Sequence, residues 1–128
     1  MARILQFEIH ASDPVRVAAF YAGLFGWRFV AGPGPGYWPL QRDASTDPGL
    51  PGGIVQRMGS PPASDAPVTS FICTVEVEDV DAMMARAVEL GGVIALPKMA
   101  IPSVGWLGYV KDCDGNLIGL SRLDATAR

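Results

Sequence analysis

Two stretches of this chain, sixty-six residues apart, carry the same pattern of strand, acidic cap, helix and glycine stop. Gln6 to Trp27 reads QFEIHASDPVRVAAFYAGLFGW, and Ile72 to Val93 reads ICTVEVEDVDAMMARAVELGGV. At this single offset Asp13 falls on Asp79, Leu24 on Leu90, Gly26 on Gly92, Gly53 on Gly119 and Ile54 on Leu120. A duplicated unit of strand, helix and further strands is expected to pair with its copy and bury a shared surface. Two such sheets rolled together make a cup, and a cup is a place for a small molecule. The expected fold class is therefore α+β: two tandem βαβββ modules forming a curved, cup-like mixed sheet. The whole chain, 1–128, is read as one domain with units at about 1–58 and 68–124. The proline- and serine-rich stretch 59–67 is the linker between them.

Composition narrows the function classes. A net charge of −3 with scattered lysines and arginines gives no basic stripe, so nucleic acid is not an expected partner. No apolar run approaches a membrane span, and strand-like sequence begins by Ile4, so neither a membrane nor a signal peptide is expected. Cys73 on a strand and Cys113 in a turn are too unlike in placement for a disulfide framework. They read as free thiols of a cytoplasmic protein.

In the first unit, strands are expected at Ile4–His10, Trp27–Val30, Tyr37–Gln41 and Gly53–Met58. In the second they are expected near Phe71–Val77, Val93–Leu96, Leu107–Lys111 and Leu117–Leu123. Asp13 caps a helix opened by Pro14, and Val17, Phe20, Tyr21, Leu24 and Phe25 form its apolar stripe up to Gly26. Asp79 caps the second helix, whose stripe of Val80, Met83, Met84, Ala87, Val88 and Leu90 ends at Gly91 and Gly92. These methionines and aromatics read as core. Asp112–Asn116, DCDGN, is the turn between the last two strands.

The order βαβββ twice, the phrase FEIHASDP followed by AAFYAGLFGW, and the closing VKDCDGNLIGL resemble the vicinal oxygen chelate superfamily. That superfamily includes glyoxalase I, extradiol dioxygenases, and the bleomycin and fosfomycin resistance proteins. The resemblance covers essentially the whole chain, with Cys113 standing where the family usually has proline. It implies the glyoxalase-type fold and a homodimer. It also implies one divalent ion held by side chains from the first and fourth strands of each module. Matched position by position, those places hold Gln6, Ile72, Gly119 and, close by, Gly53, so only Gln6 offers a donor atom. With one histidine in the chain, a site of two histidines and one carboxylate cannot be built within it. No metal or other cofactor is expected. A divalent ion on Gln6, Glu8, His10 and Glu76 is the competing arrangement.

Strand alternation puts Gln6, Glu8 and His10 on the concave face, together with Ile72, Thr74 and Glu76. The repeat pairs Glu8 with Thr74 and His10 with Glu76. A histidine beside a carboxylate serves as a general acid or base near neutral pH, or as a structural pair at the seam. Candidate catalytic residues are therefore His10, Glu8 and Glu76. Arg57 is the expected partner of Glu8, with water in an open cup as the alternative. Tyr37, Trp38 and Trp106, with Met99 in the preceding loop, are placed to close over an apolar ligand or to serve as dimer contacts or sheet packing. Gly53 and Gly119 are expected to leave room at the cup floor.

Three readings follow. The chain binds a small, partly apolar molecule without metal. Alternatively it is an enzyme, either a divalent-metal lyase or isomerase resembling lactoylglutathione lyase, or a metal-independent acid–base catalyst. In the third, side chains fill the cup and its role is dimeric interaction.

Overall fold

A computed structural model of the chain describes residues 6–43, 45–67 and 72–128. The chain divides into two compact units, Met1–Pro61 and Pro62–Arg128. The first contains β1 (Phe7–Ala11), α1 (Pro14–Phe25), β2 (Tyr37–Pro39) and β3 (Gly52–Gln56). The second contains β4 (Thr74–Glu76), α2 (Val80–Glu89), β5 (Val93–Ile101), β6 (Gly105–Lys111) and β7 (Leu117–Leu123). The architecture is α+β, with two βαβββ-like modules forming mixed sheets.

In the first module Asp13 holds an extended backbone, and its side chain accepts the Arg16 N–H at 3.2 Å. Pro14 loses nothing at the first helical turn, where its absent N–H would have no intrahelical partner. Val17, Phe20, Tyr21 and Leu24 are buried, and Gly26 closes α1 at φ 74° with its N–H on the Ala22 carbonyl, 3.0 Å. Beyond the helix an aromatic cluster continues the core. Trp27 lies 4.7 Å from Phe25, 5.8 Å from Tyr21 and 6.2 Å from Phe7, ring centre to ring centre. The sheet order is β1-β3-β2, with β1 parallel and β2 antiparallel to β3.

The second module repeats this plan in the order β4-β7-β6-β5. Glu8 pairs with Gly53 and Thr74 with Gly119, so the sixty-six-residue offset extends to the strand register itself. Asp79 caps α2 by accepting the Ala82 N–H at 2.9 Å, and Val80, Met84 and Ala87 are buried beneath it. Met84 lies over Gly108, where an added Cβ would stand 2.8 Å from its sulfur.

Three expectations are corrected. Trp27–Val30 forms only an isolated bridge, Phe29 to Leu40, because Pro39 has no N–H to return across the ladder. The left-handed glycine after α2 is Gly91, φ 97°, the first of the two glycines expected to stop it, so the offset that sets Gly26 on Gly92 slips by one there. β5 runs on from Leu96 to Ile101, so Met99 is a strand residue opposite Leu107. Pro97 lies within this extension. At the sheet edge, beside register shifts on both sides of Leu96, proline is tolerated. The expected strand residues Ile4, Leu5 and Phe71 lie outside the described residues. No helix among the described residues is long and apolar enough to cross a membrane.

The Asp112–Asn116 turn is organised by one carboxylate. Asp112, 3% exposed, accepts the N–H groups of Asp114 and Asn116 at 2.8 and 3.0 Å and the Asn116 side-chain amide at 3.0 Å. Asp112→Ala is expected to cost about 3 kcal/mol by stranding those donors, read as a shift of the urea midpoint. Asp112→Asn, which keeps an acceptor oxygen, should lose clearly less. A Cβ at Gly105 would lie 2.1 Å from the Arg122 carbonyl oxygen, a rigid backbone obstacle. Gly105→Ala should therefore destabilise by about 2 kcal/mol or more, whereas Gly34→Ala, with open space around it, should stay within about 0.5 kcal/mol.

Candidate functional site

On β1 the side chains alternate between half-buried Phe7 and Ile9 and exposed Gln6, Glu8 and His10. Residues directly opposed across a ladder share a face. Glu8 opposes Gly53, His10 opposes Val55, and Tyr37 opposes Val55, so these five share the open face of the first sheet. Trp38 opposes Ile54, which is 0% exposed in the core against α1. Trp38 therefore lies on the helix side, and the expectation that it joins Tyr37 on the ligand side is corrected: consecutive strand residues face opposite ways.

The open face holds an ionisable pair. His10 Nε2 stands 3.2 Å from Glu8 Oε2, with side chains 49% and 45% exposed. Such a pair contributes at most about 1 kcal/mol to stability, so its interest is chemical. Arg57 extends the ladder by donating its backbone N–H to Ala11 O at 2.8 Å, and its guanidinium Nη2 donates to the His10 carbonyl at 2.9 Å. Carboxylate, imidazole, guanidinium and phenol are thus gathered at one end of one sheet. The sequence pairs Glu8 with Thr74 or Arg57 and His10 with Glu76; within the first module it is Glu8 that stands beside His10, and Arg57 reaches the His10 backbone.

In the second module Thr74 and Glu76 are exposed on β4, opposite Gly119 and Ser121. Tyr109, opposite Gly119 and Leu96, and Leu107, opposite Ser121 and Met99, share that face. Leu96, Met99 and Leu123 remain 40%, 43% and 64% exposed. The second open face is therefore dominated by apolar side chains, in contrast to the first. Trp106 opposes Arg122 and Ala100 and alternates with Leu107, which puts it with Gly108 on the α2 side; the expected rim role is corrected for the same reason as Trp38.

Trp106 has partners of its own. Its indole N–H donates to Asp124 Oδ2 at 3.1 Å, and Lys98 Nζ lies 4.9 Å from the ring centre while pairing with Asp81. Trp106, Lys98, Arg122 and Asp124 line a shallow cleft of about 250 Å³ at the start of α2. Hydrogen bonds from the Thr126 hydroxyl (2.6 Å) and N–H (2.9 Å), and then from the Trp106 indole, hold the Asp124 carboxyl below its ordinary 3.8. The stability this adds is present above 3.8 and is lost as pH falls through the lower folded value. Carboxyl NMR titration should show Asp124 rising toward 3.8 in Thr126→Val, and rising less in Trp106→Phe.

The donor set does not fit the divalent ion that the resemblance implies. Gly53 and Gly119 supply no ligand atom, and the space above them is filled. An added Cβ at Gly53 would meet Tyr37 ring carbons at 2.7 Å; at Gly119 it would meet Thr74 Oγ1 at 2.7 Å and Tyr109 Cε1 at 3.1 Å. The expected room at these two glycines is corrected accordingly. Among the described residues, no group of three or more His, Cys, Asp or Glu side chains is placed to hold a metal. Both cysteines are free, and desolvation pushes the Cys73 thiol above its ordinary value, away from the thiolate a nucleophile needs.

Tyr109 is the residue that strand reading passed over. The tight Asp112–Asn116 turn sets Lys111 opposite Leu117, and counting back two residues on each strand puts Tyr109 opposite Gly119.

Residues 6–120 match the glyoxalase-like domain family. CFP32 of Mycobacterium bovis and of Mycobacterium tuberculosis, provisionally named a glyoxylase, is 26% identical over 113 residues. That match takes in 88% of this chain and 42% of CFP32, so the chain spans less than half the length of these relatives. A glyoxalase-related enzyme from Fulvimarina pelagi has a TM-score of 0.70 at 22% identity, covering 100% of this chain and 98% of that one. A glyoxalase/bleomycin resistance protein/dioxygenase family enzyme from Burkholderia phytofirmans gives 0.70 at 15%, covering 96% and 100%. Lactoylglutathione lyase from Agrobacterium tumefaciens gives 0.64 at 18%, covering 95% and 94%. These structures share the fold.

Proposed function

Since the chain belongs to the glyoxalase-like domain family, within the vicinal oxygen chelate superfamily, we propose that it binds a small, partly apolar molecule without the aid of a divalent ion. The observation that carries this reading is the state of the two glycine positions. Where a metal-holding member of the superfamily presents ligand side chains, this chain has Gly53 under Tyr37 and Gly119 under Thr74 and Tyr109. What remains is recognition by shape, stacking and hydrogen bonds. Gln6, Glu8, His10, Arg57 and Tyr37 offer polar contacts on the first sheet. Thr74 and Glu76 offer them on the second, beside the apolar Leu96, Leu107, Met99 and Leu123. Each open face supports the reading by its own chemistry.

A second reading, a metal-independent acid–base catalyst, is favoured by the 3.2 Å approach of His10 to Glu8. In it the imidazole moves a proton at the ligand and the carboxylate supports the charged form. Glu76, exposed on β4, is the further carboxylate candidate. The reading predicts that His10→Gln abolishes turnover of a bound compound while leaving its affinity nearly unchanged.

We take the chain to act as a homodimer in the cytoplasm, supported by its free thiols and by the apolar side chains left exposed on β5 and β7. Light scattering at twice the 13.5 kDa chain mass is the expected outcome.

Metal titration tests the main proposal. Protein stripped with chelator and then offered zinc, nickel or manganese should show no saturable heat and no rise in melting temperature. A tightly bound ion at 100 times its dissociation constant would stabilise the fold by about 2.7 kcal/mol, which a thermal melt resolves easily. Stoichiometric uptake with such a shift would overturn metal-free binding and restore the divalent-metal lyase or isomerase.

A further inference from the structure

Gly53 and Gly119 repeat one device at one register. Each stands opposite the central open-face residue of its module's first strand, Glu8 or Thr74, and each is covered by a tyrosine from the neighbouring antiparallel strand. At Gly53 the geometry is the more informative. An added Cβ would come within 2.7 Å of both Cε1 and Cζ of Tyr37. Equal approach of two bonded ring atoms means that a length of the ring, rather than a single atom, lies across the bare strand. The Cε1–Cζ edge of the ring then stands over backbone.

The Tyr37 ring is on the opposite face from the module's core. Ile54, Phe20, Tyr21 and Leu24 pack on the α1 side, while Tyr37 is half-buried on the face of Glu8 and His10. A ring held in place over a bare strand and only half-buried takes another flat ring by offset stacking at little conformational cost. Polar groups stand on the same face: the Glu8–His10 pair, and Arg57 two residues beyond the Val55 that opposes Tyr37.

We propose that Tyr37 is a stacking shelf, made possible by Gly53, and that the small molecule bound by this chain presents a flat conjugated ring to it. This rests on the small-molecule-binding reading given above and names the ligand class. Polar substituents at the ring's edge are read by Glu8, His10 and Arg57. Tyr109 over Gly119 is the corresponding ring of the second module.

The test compares 2-naphthol with decahydro-2-naphthol, which keeps the hydroxyl and the two-ring skeleton but has no π face, by calorimetry. The protein should bind 2-naphthol about fivefold more tightly than its saturated counterpart. Tyr37→Leu should remove that preference, bringing the two probes to equal affinity, and Tyr37→Phe should keep it. NMR of the unmodified protein supplies the check that needs no variant: upfield ring-current shifts of the naphthol protons and cross-relaxation with the Tyr37 ring. Equal affinity for the two probes, or naphthol bound without contact to Tyr37, overturns the shelf and leaves small-molecule binding standing. Failure to bind either probe overturns both.

Discussion

In both modules the first strand lies parallel to the last, β1 beside β3 and β4 beside β7. Parallel neighbours cannot be joined by a tight turn, so the chain has to leave the sheet and come back, and the helix that starts this excursion packs on one face. Everything else in a module follows from that arrangement. The helix claims Ile54 in the first unit and Leu120 in the second, both at 0% exposure, and the opposite face is left for other work. The same pairing lays a glycine of the last strand beside Glu8 or Thr74, which is where the superfamily resemblance places a metal ligand.

The two open faces have diverged in chemistry while keeping one geometry. The first gathers an imidazole, a carboxylate, a guanidinium and a phenol near the end of β1. The second presents leucine and methionine side chains around Thr74, Glu76 and Tyr109. The place a side chain would occupy is taken at Gly53 by the Tyr37 ring and at Gly119 by Thr74 and the Tyr109 ring. A cation needs several oxygen or nitrogen donors converging on one point, whereas a flat organic molecule needs a surface and a few polar contacts at its edge. The donors present on these faces suit the second task better than the first.

Local signals were legible wherever one short stretch of chain carried the whole cause. Asp13 and Asp79 as helix caps, Pro14 at the first turn, and the helical spacing of Val17, Phe20, Tyr21 and Leu24 all appear in the structure. β7 at Leu117–Leu123 coincides with the expected strand. The alternation that exposes Glu8 and His10 was readable from β1 alone. Misreadings came where a neighbour decides. The expected strand from Val93 stops at Leu96, yet β5 runs on through Pro97, which an edge strand tolerates. Trp38 and Trp106 were grouped with the ligand side by their aromatic character, and only pairing with Ile54 and Arg122 shows which way they face. The bare glycines suggested room, and it is filled by side chains of the strands paired beside them, Tyr37 at Gly53 and Thr74 and Tyr109 at Gly119.

By itself, the sequence determined the duplicated plan, the caps and turns and the apolar stripes, because each is a property of residue type along a single stretch of chain. Tertiary structure decided which aromatics cover which glycines, which tryptophans lie under a helix, and which cation reaches the His10 carbonyl. These depend on the register between paired strands. Because side chains alternate along a strand, a register differing by one residue would have exchanged the contents of the two faces.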